Sequence, residues 1–131
     1  MPKVLVIDDD EHFRCYLATL LQRAGYEGSI LRHGSQAHAL LVAEAIDAIV
    51  TDLYMPDMDG IEILAAVKRQ APGVPVIGIS AGGITASDPC VDAMKKLGAA
   101  TVLTKPFDAA ALLGAVRDAL SCRNTPRLSA N

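Results

Sequence analysis

Four short apolar runs, each ending at a polar residue, govern what this chain can fold into. Val4 to Ile7 runs into Asp8, Asp9 and Asp10, Ala48 to Thr51 ends at Asp52, Val74 to Ile79 ends at Ser80, and Ala100 to Leu103 ends one residue before Lys105. Runs of this length without polar alternation suit strands covered on both faces, where each side must meet an apolar layer.

Segments of helical period separate these runs. Phe13, Leu17, Leu20, Leu21 and Ala24 fall on one helix face that Gly25 can close. Ser35 is placed to cap a second helix reaching Ala45. Asp59 or Gly60 opens a third through Arg69, which Pro72 and Gly73 stop, and Asp88-Pro89 opens a fourth ending at Gly98. Asp108 caps a fifth, in which Leu112, Leu113, Val116 and Leu120 share a face. The alternation demands one more strand between the first two helices, and Ser29 to Leu31 is its place, short and only partly apolar between Gly28 and Gly34. Strands alternating with helices predict a doubly wound α/β fold, a five-stranded parallel sheet with five helices on its two faces. The domain is expected over residues 1–121, with residues 122–131 a short polar tail of low order interrupted by Pro126.

Composition narrows the function. Of 131 residues 51% are hydrophobic, enough for one core, and 15 acidic against 12 basic residues leave a formal charge of −3 with no Lys/Arg run to neutralise a nucleic-acid backbone. Direct nucleic-acid binding is not expected, and with 4% aromatics and no Trp there is little to build a base-stacking platform. Cys15, Cys90 and Cys122 lack metal or redox spacing and read as reduced thiols. Four apolar residues after Met1-Pro2-Lys3 are too few for a signal peptide, and no stretch approaches membrane-spanning length, so a cytoplasmic protein without membrane contact is expected.

In an open parallel sheet the strand C-terminal ends share one edge, so Asp8, Asp9, Asp10, Asp52, Ser80 and Lys105 should converge. Neighbouring carboxylates repel unless a cation sits between them, and hard oxygens without His or thiolate suit magnesium. A carboxylate can be the nucleophile toward a phosphoryl group, whose added charge a Lys ammonium, a Ser hydroxyl and the metal can neutralise. Some of the same residues have plainer uses. Asp10 and Asp59 are well placed as helix caps, Met55 and Met58 as packing residues, and His12, His33 and His38 share no spacing and read as surface or helix residues.

Taken in order, Val4-Leu5-Val6-Ile7-Asp8-Asp9, the stretch Thr51-Asp52-Leu53-Tyr54-Met55-Pro56-Asp57-Met58-Asp59-Gly60, Ser80-Ala81, and Leu103-Thr104-Lys105-Pro106-Phe107 resemble the response-regulator receiver domain of two-component signalling. The resemblance covers about residues 3 to 121. It implies a flavodoxin-like sheet of order 2-1-3-4-5 and a phosphorelay switch, not a turnover enzyme. Asp52 is then the phosphoacceptor, and Mg2+ is held by Asp9, by Asp52, by the assisting Asp8 and by the Tyr54 backbone carbonyl. Ser80 and Lys105 contact the phosphoryl group, and Pro106 resembles the family's cis peptide. The implied partners are a sensor histidine kinase or phosphotransfer protein as donor and a downstream protein target. No effector domain follows the fifth helix in this sequence, so output through another protein is expected.

This sequence departs from the family at Val102, where Tyr or Phe is usual, and in the longer Gly82-Gly83-Ile84-Thr85-Ala86-Ser87 segment. Val102 speaks for a competing reading, a phosphorylation-independent pseudo-receiver that serves as an interaction module. The complete set Asp9, Asp52, Ser80 and Lys105 speaks against it. A phosphohydrolase of another α/β fold would place a second acid two residues beyond the nucleophile, where this chain has Tyr54.

Overall fold

Val4, Leu5, Val6 and Ile7 are all wholly buried, Val4 and Val6 within one apolar cluster and Leu5 and Ile7 within another. That division is what a strand between two helical layers requires, since successive side chains point to opposite faces. The computed structural model describes residues 1–53, 59–80, 89–105 and 107–130, with the backbone alone for 89, 90 and 122–130. Its elements are β1 (Lys3–Ile7), α1 (Glu11–Arg23), β2 (Glu27–Leu31), a 3-10 turn (Gly34–Gln36), α2 (Ala37–Ala43), β3 (Ala48–Asp52), α3 (Gly60–Gln70), β4 (Val76–Ser80), α4 (Pro89–Lys96), β5 (Thr101–Thr104) and α5 (Ala109–Ala130). All strand pairs are parallel and the order is β2-β1-β3-β4-β5, the flavodoxin-like arrangement.

One face carries Leu5, Ile7, Ile49 and Val76 against Ala37 of α2, Ile63, Leu64 and Val67 of α3, and Met94 of α4. The other carries Val6, Val50, Ile77 and Ile79 against Leu17 and Leu21 of α1 and Leu112 and Val116 of α5. Three of the expected caps form. Asp10 accepts from the His12 and Phe13 amides, Asp59 and Glu62 make a reciprocal capping box, and Asp108 accepts from the Ala111 amide. Gly25, just past α1, has a positive φ of 96°, which closes that helix at little cost.

The structure departs from the sequence expectations at β2 and at α2. β2 begins at Glu27, two residues before Ser29, because edge pairing continues down to Lys3↔Glu27. The Lys3 ammonium there bonds Glu44 and lies 3.9 Å from Glu27, while its backbone N–H donates to Asp47 at 2.8 Å. Ser35 does not cap α2; it lies inside the 3-10 turn, and α2 runs only from Ala37 to Ala43 with Glu44 extended after it. The turn's tighter i→i+3 geometry delivers the chain into α2 without a side-chain cap. The helical backbone of α5 spans Ala109–Ala130.

Gly60 sits where α3 meets the end of β3. A Cβ at Gly60 would lie 2.8 Å from the Asp52 carbonyl oxygen and 2.9 Å from the Leu53 Cα, both backbone atoms that cannot yield cheaply. Gly60→Ala should therefore cost about 1–3 kcal/mol in urea unfolding. Gly73→Ala, where a Cβ meets nothing within 4 Å, should change stability by less than about 0.5 kcal/mol. Equal midpoints for the two variants would contradict the close approach.

Candidate functional site

Asp8 follows β1 directly, Asp52 ends the neighbouring β3, and the β1–β3 register (Val6↔Val50, Ile7↔Thr51) sets the two side by side. Both continue the parity of Val6 and Val50 and so belong to the α1/α5 side of the sheet. Asp9 begins the loop into α1. One carboxylate oxygen from each of Asp8, Asp9 and Asp52 lies within 4.8 Å of the others, with Asp8 buried, Asp52 partly exposed and Asp9 exposed.

Asp8 is held from several directions. Its Oδ1 accepts the Asp10 backbone N–H at 2.8 Å, and its carbonyl accepts from the Arg14 guanidinium at 2.8 Å. Its Oδ2 is buried without a hydrogen-bond partner. Burial pushes the Asp8 carboxyl above the usual Asp range. The Asp10 amide and the Lys105 ammonium pull it back, and the Asp9 and Asp10 charges push it further up. A buried carboxylate oxygen without a donor, facing two more carboxylates, is what a divalent cation satisfies, and a set of hard oxygens fits magnesium.

Ser80 is wholly buried as the last residue of β4, paired with Thr104, and its carbonyl accepts the Lys105 N–H at 2.9 Å. That bond ties the Lys105 backbone to the end of β4. The Lys105 ammonium lies 4.0 Å from the centroid of the Phe13 ring. The structure thus brings Asp8, Asp9 and Asp52 together and places Ser80 and Lys105 on the adjoining strand ends. Tyr54, Asp57, Pro106, Met55, Met58 and the Gly82-Gly83 segment lie outside the described residues. His38 bonds Gln70 at 2.7 Å across α2 and α3, in keeping with its plainer reading. A cleft of about 610 Å³ opens near Lys68, Pro72, Gly73, Gly98 and Ala115, at the N-terminal edge of the strands and away from the carboxylates.

Val102 pairs with Gly78 on the α3/α4 side of the sheet. A Cβ at Gly78 would meet the Met94 Cε at 2.9 Å and the Val102 Cγ2 at 3.6 Å, so wholly buried Met94 of α4 covers Gly78 beside Val102. Met94, Phe13 and Arg14 were not legible as site neighbours. Phe13 reads simply as a helix-face apolar residue, and only the spacing of Arg14 six residues after Asp8 signals that it can reach back over the first turn of α1.

The Asp8 shift sets a pH dependence. A folded-state pKa raised above the unfolded one stabilises the fold below the unfolded value near 3.8, and this contribution is lost as pH rises through the folded value. Without metal, stability should therefore fall as the solution leaves the acid range. Asp8→Asn keeps the acceptor for Asp10 and removes the charge. It should raise metal-free stability at pH 7 by about 1–3 kcal/mol and flatten this slope. Thermal unfolding across pH in a chelating buffer checks it; a less stable Asp8→Asn at pH 7 would count against the assignment.

The site can be set beside known proteins. The family model for the response regulator receiver domain matches residues 4–117. The response regulator protein FleR of Pseudomonas aeruginosa is 38% identical over 114 residues, which are 87% of this chain and 24% of FleR. The response regulator receiver protein CpdR of Brucella abortus is 33% identical over 107 residues, 82% of this chain and 87% of CpdR. The chain spans about a quarter of the length of the curated relatives first matched, and CpdR is close to it in size. A crystal structure of a response regulator receiver domain protein from Clostridium thermocellum superposes with a TM-score of 0.85 at 29% identity, covering 95% of this chain and 98% of that one. With its parallel sheet of order 2-1-3-4-5 and the acidic cluster at the strand ends, the chain belongs to the receiver-domain family of two-component response regulators.

Proposed function

We propose that this receiver domain is a phosphorylation switch in which Asp52 accepts a phosphoryl group, with Mg2+ held by Asp9, Asp52 and the assisting Asp8. The resemblance adds the Tyr54 carbonyl as a further ligand. The observation that carries the reading is the buried, unpartnered Asp8 Oδ2 beside the Asp9 and Asp52 oxygens. A module freed of phosphate chemistry gains nothing from that electrostatic cost, so the pseudo-receiver reading has less support.

The Asp52 carboxylate oxygen attacks phosphorus, and the new O–P bond forms as the P–N bond to the donor's imidazole breaks, with the electron pair leaving on the imidazole. Mg2+ supplies charge neutralisation for the carboxylates and the incoming phosphoryl oxygens. Lys105 offers an ammonium from the end of β5 and Ser80 a hydroxyl from the end of β4 for those oxygens. Asp8, set in the buried end of the sheet and braced by the Asp10 amide, keeps the metal side of the site negative. The donor in this reading is a sensor histidine kinase or phosphotransfer protein, and the readout is a downstream protein that binds the altered surface. Among the described residues no helix is long and apolar enough to cross a membrane.

Incubation with phosphoramidate and Mg2+ should add one phosphoryl group to the parent chain by intact mass and none to Asp52→Asn, which removes the nucleophile at nearly constant volume. Stoichiometric uptake by Asp52→Asn would move the acceptor elsewhere. Asp9→Ala should weaken Mg2+ binding by about tenfold or more in a calorimetric titration, since even groups that only orient metal ligands cost that much. Unchanged affinity would overturn the metal assignment.

A further inference from the structure

Both phenylalanines of the chain, Phe13 and Phe107, meet in the structure, and Phe13 also meets Lys105, although aromatics are only 4% of the sequence. The Phe13 ring meets Phe107 edge-on at 6.0 Å and Tyr16 at 6.1 Å, and both phenylalanines are partly buried against the α1/α5 core. On this anchored ring rests the Lys105 ammonium, 4.0 Å from the centroid. We propose that Phe13 is a positioning residue for phosphoryl transfer, its ring face seating the Lys105 ammonium at the mouth of the Asp8, Asp9 and Asp52 cluster.

Such a seat preorganises the lysine. A lysine has four flexible bonds, and holding its end group in one place costs rotamer entropy at the moment of reaction unless a contact has already done so. A carboxylate seat would do this by consuming the charge that the phosphoryl group needs and by competing with the metal for its ligands. A ring face attracts the ammonium through its quadrupole while leaving it cationic and its ligand-side neighbours ionised. The Phe107 and Tyr16 contacts fix the ring itself, so the seat is rigid where the lysine is not. The ring contact persists as the phosphoryl oxygens arrive, so its energy is available in the transition state.

The proposal rests on the aspartyl-phosphate reading, and two measurements separate their fates. In the unphosphorylated protein the Lys105 Hε resonances should be displaced upfield by the ring, in the parent and in Phe13→Tyr but not in Phe13→Leu. Their absence in the parent overturns the seat whatever the phosphate chemistry. With phosphoramidate and Mg2+, Phe13→Leu should slow phosphorylation roughly two- to fivefold, the ratio matching an exposed cation–π contact, and Phe13→Tyr should restore it. In a Lys105→Ala background Phe13→Leu should have no further effect. An equal slowing in that background means that Phe13 acts as packing alone and overturns the proposal, as does an unaltered rate in Phe13→Leu. Absence of phosphorylation in the parent itself counts against the aspartyl phosphate, and the resonances then decide the seat.

Discussion

The site depends on one costly interaction, the burial of a carboxylate at the end of a central strand. Asp8 continues β1, which lies between β2 and β3 and is enclosed by both helical layers, so its side chain is held where water cannot solvate both oxygens. The fold recovers part of the cost with the Asp10 amide on Oδ1, while the Arg14 guanidinium fixes the backbone at the Asp8 carbonyl. It leaves Oδ2 bare. An isolated buried charge of this kind is normally eliminated or paired, and its retention beside Asp9 and Asp52 makes the sheet edge a place that gains stability by taking up positive charge.

The other elements of the site follow from the strand order. A parallel sheet of order 2-1-3-4-5 puts β1 and β3 side by side, so the acids are neighbours, and places β4 and β5 next in line, so the hydroxyl and the ammonium flank them on one side. The Lys105 N–H bond to the Ser80 carbonyl locks those two strand ends together. The β3 end is fixed from the opposite direction: the Gly60 N–H donates to the Leu53 carbonyl at 2.8 Å, and the absent Cβ at Gly60 lets α3 press against the Asp52 backbone. The acidic residue is thereby positioned by main-chain contacts, which depend little on side-chain rotamers.

Much of this was legible in the sequence because the inner strands are covered twice. Val4 to Ile7 and Ala48 to Thr51 carry no charged residue before their final acids, so their burial and the convergence of those acids could be read together. β2 was harder to place. As an edge strand with Glu27 and Gly28 exposed, it takes its extent from pairing with β1, a contact between residues 24 apart that no local pattern records. Ser35 was misread because a Ser before an apolar run signals a cap equally well when a 3-10 turn intervenes. The Phe13 seat for Lys105 was hidden for a similar reason: the helical period assigns Phe13 to a face, but not to the residue from the far end of the chain that lands on it.

Val102 shows why a departure in one residue has to be read with its surroundings. A β-branched side chain is stiff at χ1, so Val102 cannot swing between surface and interior as a larger, hinged side chain can. The adjoining surface of β4 has no side chain at Gly78, and Met94 reaches over it from α4 with three rotatable bonds and a polarisable thioether. On the sheet face that Ser80 shares with Gly78 and Val102, the adaptable side chain is therefore supplied by α4 and not by β5. Any displacement that begins at the buried Ser80 meets a rigid residue on one side and a deformable one on the other. Close-packed interiors yield where a side chain has alternative rotamers, which makes the α4 side of this face the softer one.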